Sequence, residues 1–169
     1  TIGQRVADMV EGFDLDVLAY DPYISPEEAE AHDATKVSFE DLIERSDIVS
    51  IHTALTDETH HLFDAEAFST MKDSAILVNV ARGGIIDQDA LVEALDADEI
   101  AVAGLDVLED EPPAEDDPLP WHEDVVVTPH IAWYSQTATD ELKRTVAEET
   151  VRVLEGTAPE SVVNPDLLD

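Results

Sequence analysis

Three observations predict an α/β fold with a doubly wound parallel sheet. Short β-branched runs alternate with helical patterns along the chain. Several of these runs are apolar at consecutive positions, as strands covered by helices on both faces should be. The 169 residues suffice for one domain with its own core. The rhythm strand, helix, strand, helix calls for right-handed crossovers and hence parallel pairing.

The elements follow in order. Gly3 heads helix-like sequence, which gives way to the strand "DVLAY" at 16–20. "SFEDLIERS" starts a helix in capping-box fashion, with Ser38 followed three residues later by Asp41. The next strands are "DIVSIH" at 47–52 and "AILVNV" at 75–80. A Gly-Gly turn at 83–84 precedes the helix "DQDALVEALDA", which Asp87 caps. "AVAGLDV" at 101–107 and "DVVVT" at 124–128 complete the strands, and the acidic, Pro-rich stretch 109–121 between them is a loop. A final helix runs from about Ser135 to Leu154 and ends at Gly156 and Pro159. No internal repeat or low-complexity segment interrupts this order.

Acidic residues number 41 against 8 basic ones, a formal net charge of −33, and they spread along the chain between apolar segments. That distribution fits a folded, halophilic protein with an acidic surface, made for salt that shrinks the Debye length to roughly 3 Å near 1 M. The three lysines agree with this. Such a surface repels nucleic acid and anionic membranes, so neither is expected as a partner. No run is long enough to span a membrane, and no charged-then-apolar leader opens the chain. Cysteine is absent, which fits a cytoplasmic setting and excludes disulfides and thiolate metal sites.

The opening "TIGQRVADMVEGFDLDVLAYD" poses the first functional question. A dinucleotide-binding unit joins strand to helix through a Gly-rich turn, and about twenty positions later an acidic residue receives the adenosine ribose hydroxyls. Gly3 and Asp21 stand eighteen positions apart. Thr1, Ile2 and Gly3 read as the end of such a turn, with Gly3 as its third glycine and the first strand ahead of residue 1. Asp21 before Pro22 reads equally as a strand-end turn residue. A carboxylate there repels a 2′-phosphate, and no Arg or Lys follows until Lys36, so NAD is favoured over NADP.

Three further stretches, "NVARGGIID" (79–87), "GLDVLEDEP" (104–112) and "TPHIAW" (128–133), each follow a predicted strand. Ligands of open α/β sheets collect at the carboxyl ends of strands. Together the three offer an arginine that can clamp a carboxylate and a histidine that can move a hydroxyl proton. They also offer a carboxylate to stabilise the imidazolium.

With these motifs in register, nearly the whole chain resembles the NAD-binding domain of the D-isomer-specific 2-hydroxyacid dehydrogenases, a Rossmann-type fold. The resemblance implies reversible NAD(H)-dependent hydride transfer between a small 2-hydroxy acid and its 2-keto acid. It makes Arg82 the residue binding substrate carboxylate and carbonyl, His130 the general acid/base and Glu111 its partner. It places Asp106 at the nicotinamide carboxamide, and Val80 and Ala81, with Arg82 and His130, beside the nicotinamide end. "HTALTDETHHL" resembles the loop along the adenosine and ribose, bringing in Thr53, Leu55 and Thr59. "YDPYIS", "THHL" and "TPHIAWYS" resemble most the branch containing the C-terminal-binding-protein corepressors, so a non-catalytic NAD(H)-binding, corepressor-like protein, or a truncated protein that neither binds nor catalyses, is the alternative. Trp133 belongs to that resemblance. The domain would span 1–150. Residues 151–169 would return toward a substrate-binding domain not represented here, and the missing first strand would leave neighbouring strand edges unpaired. A homodimer is implied.

Each residue also has a plainer reading. Arg82 could be a surface ion-pair residue, His130 a loop histidine, and Glu111 has rivals in Glu109 and Asp110. His60 and His61, adjacent on a regular element, would point apart, so no metal site is expected. Trp121 reads as the packing anchor of the Pro-rich loop.

Overall fold

In the computed structural model, which describes residues 2–164, the chain divides into two compact units, Thr1–His130 and Ile131–Asp169. The first unit opens with α1 (Ile2–Val10) and β1 (Val17–Ala19). It continues through α2 (Pro26–Glu30), β2 (Ala34–Lys36), α3 (Phe39–Arg45), β3 (Ile48–Ile51) and α4 (Ala65–Thr70). β4 (Ile76–Asn79), α5 (Gln88–Asp96), β5 (Val102–Leu105) and β6 (Val125–Val127) complete it. The second unit carries α6 (Gln136–Leu154).

All strand pairing is parallel, as the alternating pattern requires. β1 pairs with β2, and β3, β4, β5 and β6 form a four-stranded sheet in that order. Among the described residues neither β1 nor β3 has a second partner, so the strands fall into two sheets. The five expected strands are all present, each slightly shorter than its apolar run. β2 was not expected. Its three residues Ala-Thr-Lys are too short and too polar to stand out, and pairing with β1 creates it.

Side-chain oxygens start the helices. Ser38 accepts from the Asp41 N–H at 3.0 Å, Asp64 from Ala67 at 3.0 Å, Asp87 from Ala90 at 3.1 Å, and Ser135 from Ala138 at 3.0 Å. The reciprocal capping box lies at Ser25 and Glu28, ahead of α2, with Pro26 in its first turn. α5 buries Ala90, Leu91, Ala94 and Leu95, one helical stripe, against the sheet.

The core lies on one face of the four-stranded sheet. Val49, Leu77 and Ala103 share a register row, as do Ile51, Asn79 and Leu105, and all are buried. Phe63, Phe68, Ile85, Ile86, Leu91, Ile100 and Leu119 pack on them. The opposite face departs from the expectation of cover on both sides. Its rows Ile48–Ile76–Val102 and Ser50–Val78–Gly104–Val126 leave Ile48, Ile76 and Val126 exposed, and α1 buries no residue. In the Pro-rich loop Leu119 is fully buried whereas Trp121 is 80% exposed. The anchor of that loop is therefore Leu119. The smaller side chain fits beneath β6, and the indole stays in solvent.

Candidate active site

The candidate residues collect where β4, β5 and β6 end. β4 terminates in Asn79, whose side chain is completely buried. Its Nδ2 donates to the Arg82 carbonyl at 2.9 Å and its Oδ1 accepts from the Ala81 N–H at 3.0 Å. One amide thus closes the turn bearing Val80, Ala81 and Arg82. The Asp106 N–H donates to the Asn79 carbonyl at 2.9 Å, and the His130 N–H donates to the Asp106 carbonyl at 2.9 Å. A continuous hydrogen-bonded path therefore joins the arginine turn to the histidine.

His130 has a φ of 52°, in the left-handed region that a residue with a Cβ rarely enters. Its N–H also lies 2.9 Å from the Thr128 carbonyl, which helps to hold that conformation. His130 Nδ1 lies 2.6 Å from Glu111 Oε2, and Glu111 Oε1 accepts from the Leu108 N–H at 3.0 Å. The hydrogen bond with His130 holds the Glu111 carboxyl below the usual carboxylate range; partial burial opposes this and the Leu108 N–H reinforces it. The rivals separate in space: Glu109 Oε1 pairs with His61 Nε2 instead. Asp106 is buried, and its Oδ1 accepts from the Thr128 hydroxyl at 2.5 Å.

Arg82 is exposed, and its Nη1 donates to the Ala81 carbonyl at 2.6 Å. Among the described residues it forms no ion pair, although the chain has 41 carboxylates. The surface ion-pair reading has no support in this geometry. Gly83, next in the chain, lies so close to Leu108 that an added Cβ would stand 2.0 Å from that residue's carbonyl carbon. The arginine turn and the loop leading to Glu111 are thus in backbone contact.

The remaining positions fall on the amino side. Thr1 lies outside the described residues. Ile2 is exposed at the start of α1, and a Cβ on Gly3 would stand 3.3 Å from His52 Cβ, at the end of β3. Close helix-to-strand approach is the role of a third fingerprint glycine. Asp21 follows β1; its Oδ1 accepts from the Tyr23 N–H at 2.9 Å, so it does shape the turn. Tyr23 Oη donates to Glu58 Oε2 at 3.0 Å, tying that turn to the 53–62 loop. The Glu58 carboxylate pushes the Tyr23 phenol up.

In that loop Thr59 Oγ1 donates to the Ala54 carbonyl at 2.6 Å and accepts from the Thr56 N–H at 2.8 Å, so its hydroxyl is a staple. Thr53 and Leu55 are exposed, and Leu55 covers Gly84. His60 and His61 do not point apart. They lie in a turn with rings stacked at 3.9 Å, because His61 takes a φ of 51°. Asn79, Thr128 and Tyr23 bond to the candidate residues or their loops without standing out in the sequence; a polar residue near the end of the apolar run "AILVNV" is the available signal for the first.

Residues 1–132 match the family described as D-isomer specific 2-hydroxyacid dehydrogenase, NAD binding domain. The chain is 41% identical over 167 residues to D-3-phosphoglycerate dehydrogenase 2, chloroplastic, of Arabidopsis thaliana, covering 99% of this chain and 27% of that protein. It is 40% identical over 167 residues to a glyoxylate reductase of Korarchaeum cryptofilum, covering 99% and 50% respectively. The crystal structure of D-lactate dehydrogenase with NAD+ from Lactobacillus jensenii superposes with a TM-score of 0.85 at 34% identity, over 96% of this chain and 52% of that one. The chain therefore spans between about a quarter and about half of these relatives' length.

Proposed function

Because the chain belongs to the D-isomer specific 2-hydroxyacid dehydrogenase family and matches its NAD binding domain, we propose that it is the cofactor-bearing part of an NAD-dependent D-2-hydroxyacid dehydrogenase. The proposed residues suit the dinucleotide. Gly3 lets α1 approach β3, and Asp21 stands after β1 with Oδ2 uncommitted to any described residue. Lys36 Nζ, the next cation, is bonded to the Ile24 carbonyl at 2.5 Å. That setting favours an unphosphorylated ribose. When bound, NAD(H) supplies the hydride acceptor or donor.

The protein's own part is to bind and to move a proton. Arg82, without a carboxylate partner of its own, would receive the substrate carboxylate and polarise the 2-keto oxygen. Glu111 holds Nδ1 of His130, so the tautomer and ring orientation are fixed and Nε2 is the atom that gives or takes the hydroxyl proton. In the reducing direction Glu111 stabilises the imidazolium before transfer; in the oxidising direction it stabilises the imidazolium that forms. The observation that carries this reading is the 2.6 Å contact between His130 Nδ1 and Glu111 Oε2, held on its other oxygen by a backbone N–H. A binding module alone has no use for such a pair. We place the protein in the cytoplasm as a homodimer acting on a small 2-keto acid.

The test, in a protein of the relatives' full length that contains this chain, is NADH oxidation with hydroxypyruvate and glyoxylate in molar KCl. His130→Gln should lower kcat by about 10²–10⁴ with NADH affinity unchanged. Arg82→Gln should mainly raise KM. Turnover unaffected by His130→Gln would refute the assignment. NADH binding without turnover of any keto acid would favour the non-catalytic alternative.

A further inference from the structure

We propose that His60, His61 and Glu109 form a binding site for a divalent first-row transition ion, zinc in particular, distinct from the Arg82, Glu111 and His130 set. The inference does not rest on the dehydrogenase reading. One donor atom from each residue lies within 4.8 Å of the others. The two histidines come from the loop after β3 and the glutamate from the loop after β5.

Each ligand is held from behind. The His61 N–H donates to the Gly84 carbonyl at 2.9 Å, and an added Cβ on Gly84 would stand 3.7 Å from His60 Cδ2. The Glu109 N–H donates to Gln88 Oε1 at 2.6 Å. Asp87 Oδ2 lies 3.7 Å from Nδ1 of His61, on the far side of the ring from the Nε2 that meets Glu109. That is the order carboxylate, histidine, metal; at 3.7 Å no hydrogen bond joins Asp87 to the ring, and a shift of under about 1 Å would make the one that orients a metal-bound imidazole.

Two imidazoles and one carboxylate suit zinc, cobalt or nickel, whereas carboxylates alone suit magnesium or calcium. Zinc bonds of about 2.0–2.1 Å set tetrahedral ligand atoms roughly 3.3 Å apart. His60 and Glu109 are exposed, and side-chain rotation lets Glu109 part from His61 Nε2, which it now meets at hydrogen-bond range, to make room for the ion while His60 turns to it. The ion takes the place of the proton that His61 and Glu109 share, and water fills the fourth position. Bound there, it ties the β3 loop to the loop that carries Glu111, two residues beyond Glu109.

The test is calorimetric titration of the chain with Zn²⁺ in molar KCl, with millimolar Mg²⁺ present to occupy sites made only of carboxylates. One equivalent should bind tightly. His60→Asn and Glu109→Gln should each weaken it at least tenfold, and Asp87→Asn, which keeps a side chain able to cap α5, about tenfold. His32→Asn should leave it unchanged. Co²⁺ should develop visible ligand-field absorption that His60→Asn abolishes. Binding no tighter than the carboxylate background, or tight binding that survives both His60→Asn and Glu109→Gln with folding intact by circular dichroism, would overturn the proposal.

Discussion

Gly83 sits where the arginine turn meets the β5 loop, and no side chain fits there. A Cβ at this position would lie 2.0 Å from both the carbonyl carbon and oxygen of Leu108 and 2.4 Å from the Glu109 nitrogen. All three atoms are backbone, so no rotamer relieves the contact. Ordinary contact begins at 3.4 Å, so the two segments would have to part by the difference, 3.4 − 2.0 = 1.4 Å. Gly83 has no positive φ, so space alone decides the outcome. Overpacking costs about 1–3 kcal/mol, and a clash confined to backbone belongs at the top of that range, so Gly83→Ala should destabilise by about 3 kcal/mol. The same shift would pull Arg82 away from the Leu108–Glu111 segment.

Two neighbouring glycines provide the comparison. At Gly84 the Cβ would meet Leu55 Cδ2 at 3.3 Å, the far end of a half-exposed side chain, and Gly84→Ala should cost under about 1 kcal/mol. At Gly12 nothing lies within 4 Å, and Gly12→Ala should be neutral or stabilising by up to about 1 kcal/mol. Urea unfolding in molar KCl, followed by circular dichroism, orders the three. If Gly83→Ala unfolds with Gly84→Ala, the backbone contact is not what holds these loops together.

Other expectations follow from the same geometry. Asn79→Ala leaves the Ala81 N–H unpaired and the Arg82 carbonyl with only the Ile85 N–H at 3.3 Å, and should destabilise by about 1–3 kcal/mol in the same assay. The Glu111 carboxyl is held below its ordinary 4.5, so its contribution to stability is present above pH 4.5 and lost as pH falls through the depressed folded value. The stability gap between wild type and Glu111→Gln should therefore close as pH falls below about 4.5; a gap that persists undiminished at low pH would contradict the pairing. With a net charge of −33, thermal stability should rise steeply with KCl up to molar concentrations, and a melting temperature independent of salt would refute the halophilic reading.

What was legible in the sequence was legible for physical reasons. The four sheet strands lie in β-branched, largely apolar runs, and Ser38, Asp87 and Ser135 each stand just before a helical stripe, so pattern and cap agree. Glu111, His130 and Arg82 could be chosen because three motifs lay in register at strand ends. What stayed hidden depended on conformation that no local pattern encodes. β2 exists only because β1 pairs with it. Trp121 and Leu119 exchange roles because a turn decides which one faces the sheet. His60 and His61 stack because one φ angle is positive, and adjacency alone argued the reverse. Asn79 closes the arginine turn through two bonds that neither composition nor periodicity announces.

The central proposal is that this chain holds NAD at the start of α1, beside Gly3, and through the carboxylate of Asp21. The most direct test is titration with NADH in molar KCl, read by energy transfer from tryptophan to the reduced nicotinamide. The account predicts saturable binding, at least tenfold weaker in Asp21→Ala and weaker still for NADPH with the wild-type chain. A folded chain that binds no NADH, or one that binds it equally well after Asp21→Ala, would contradict it.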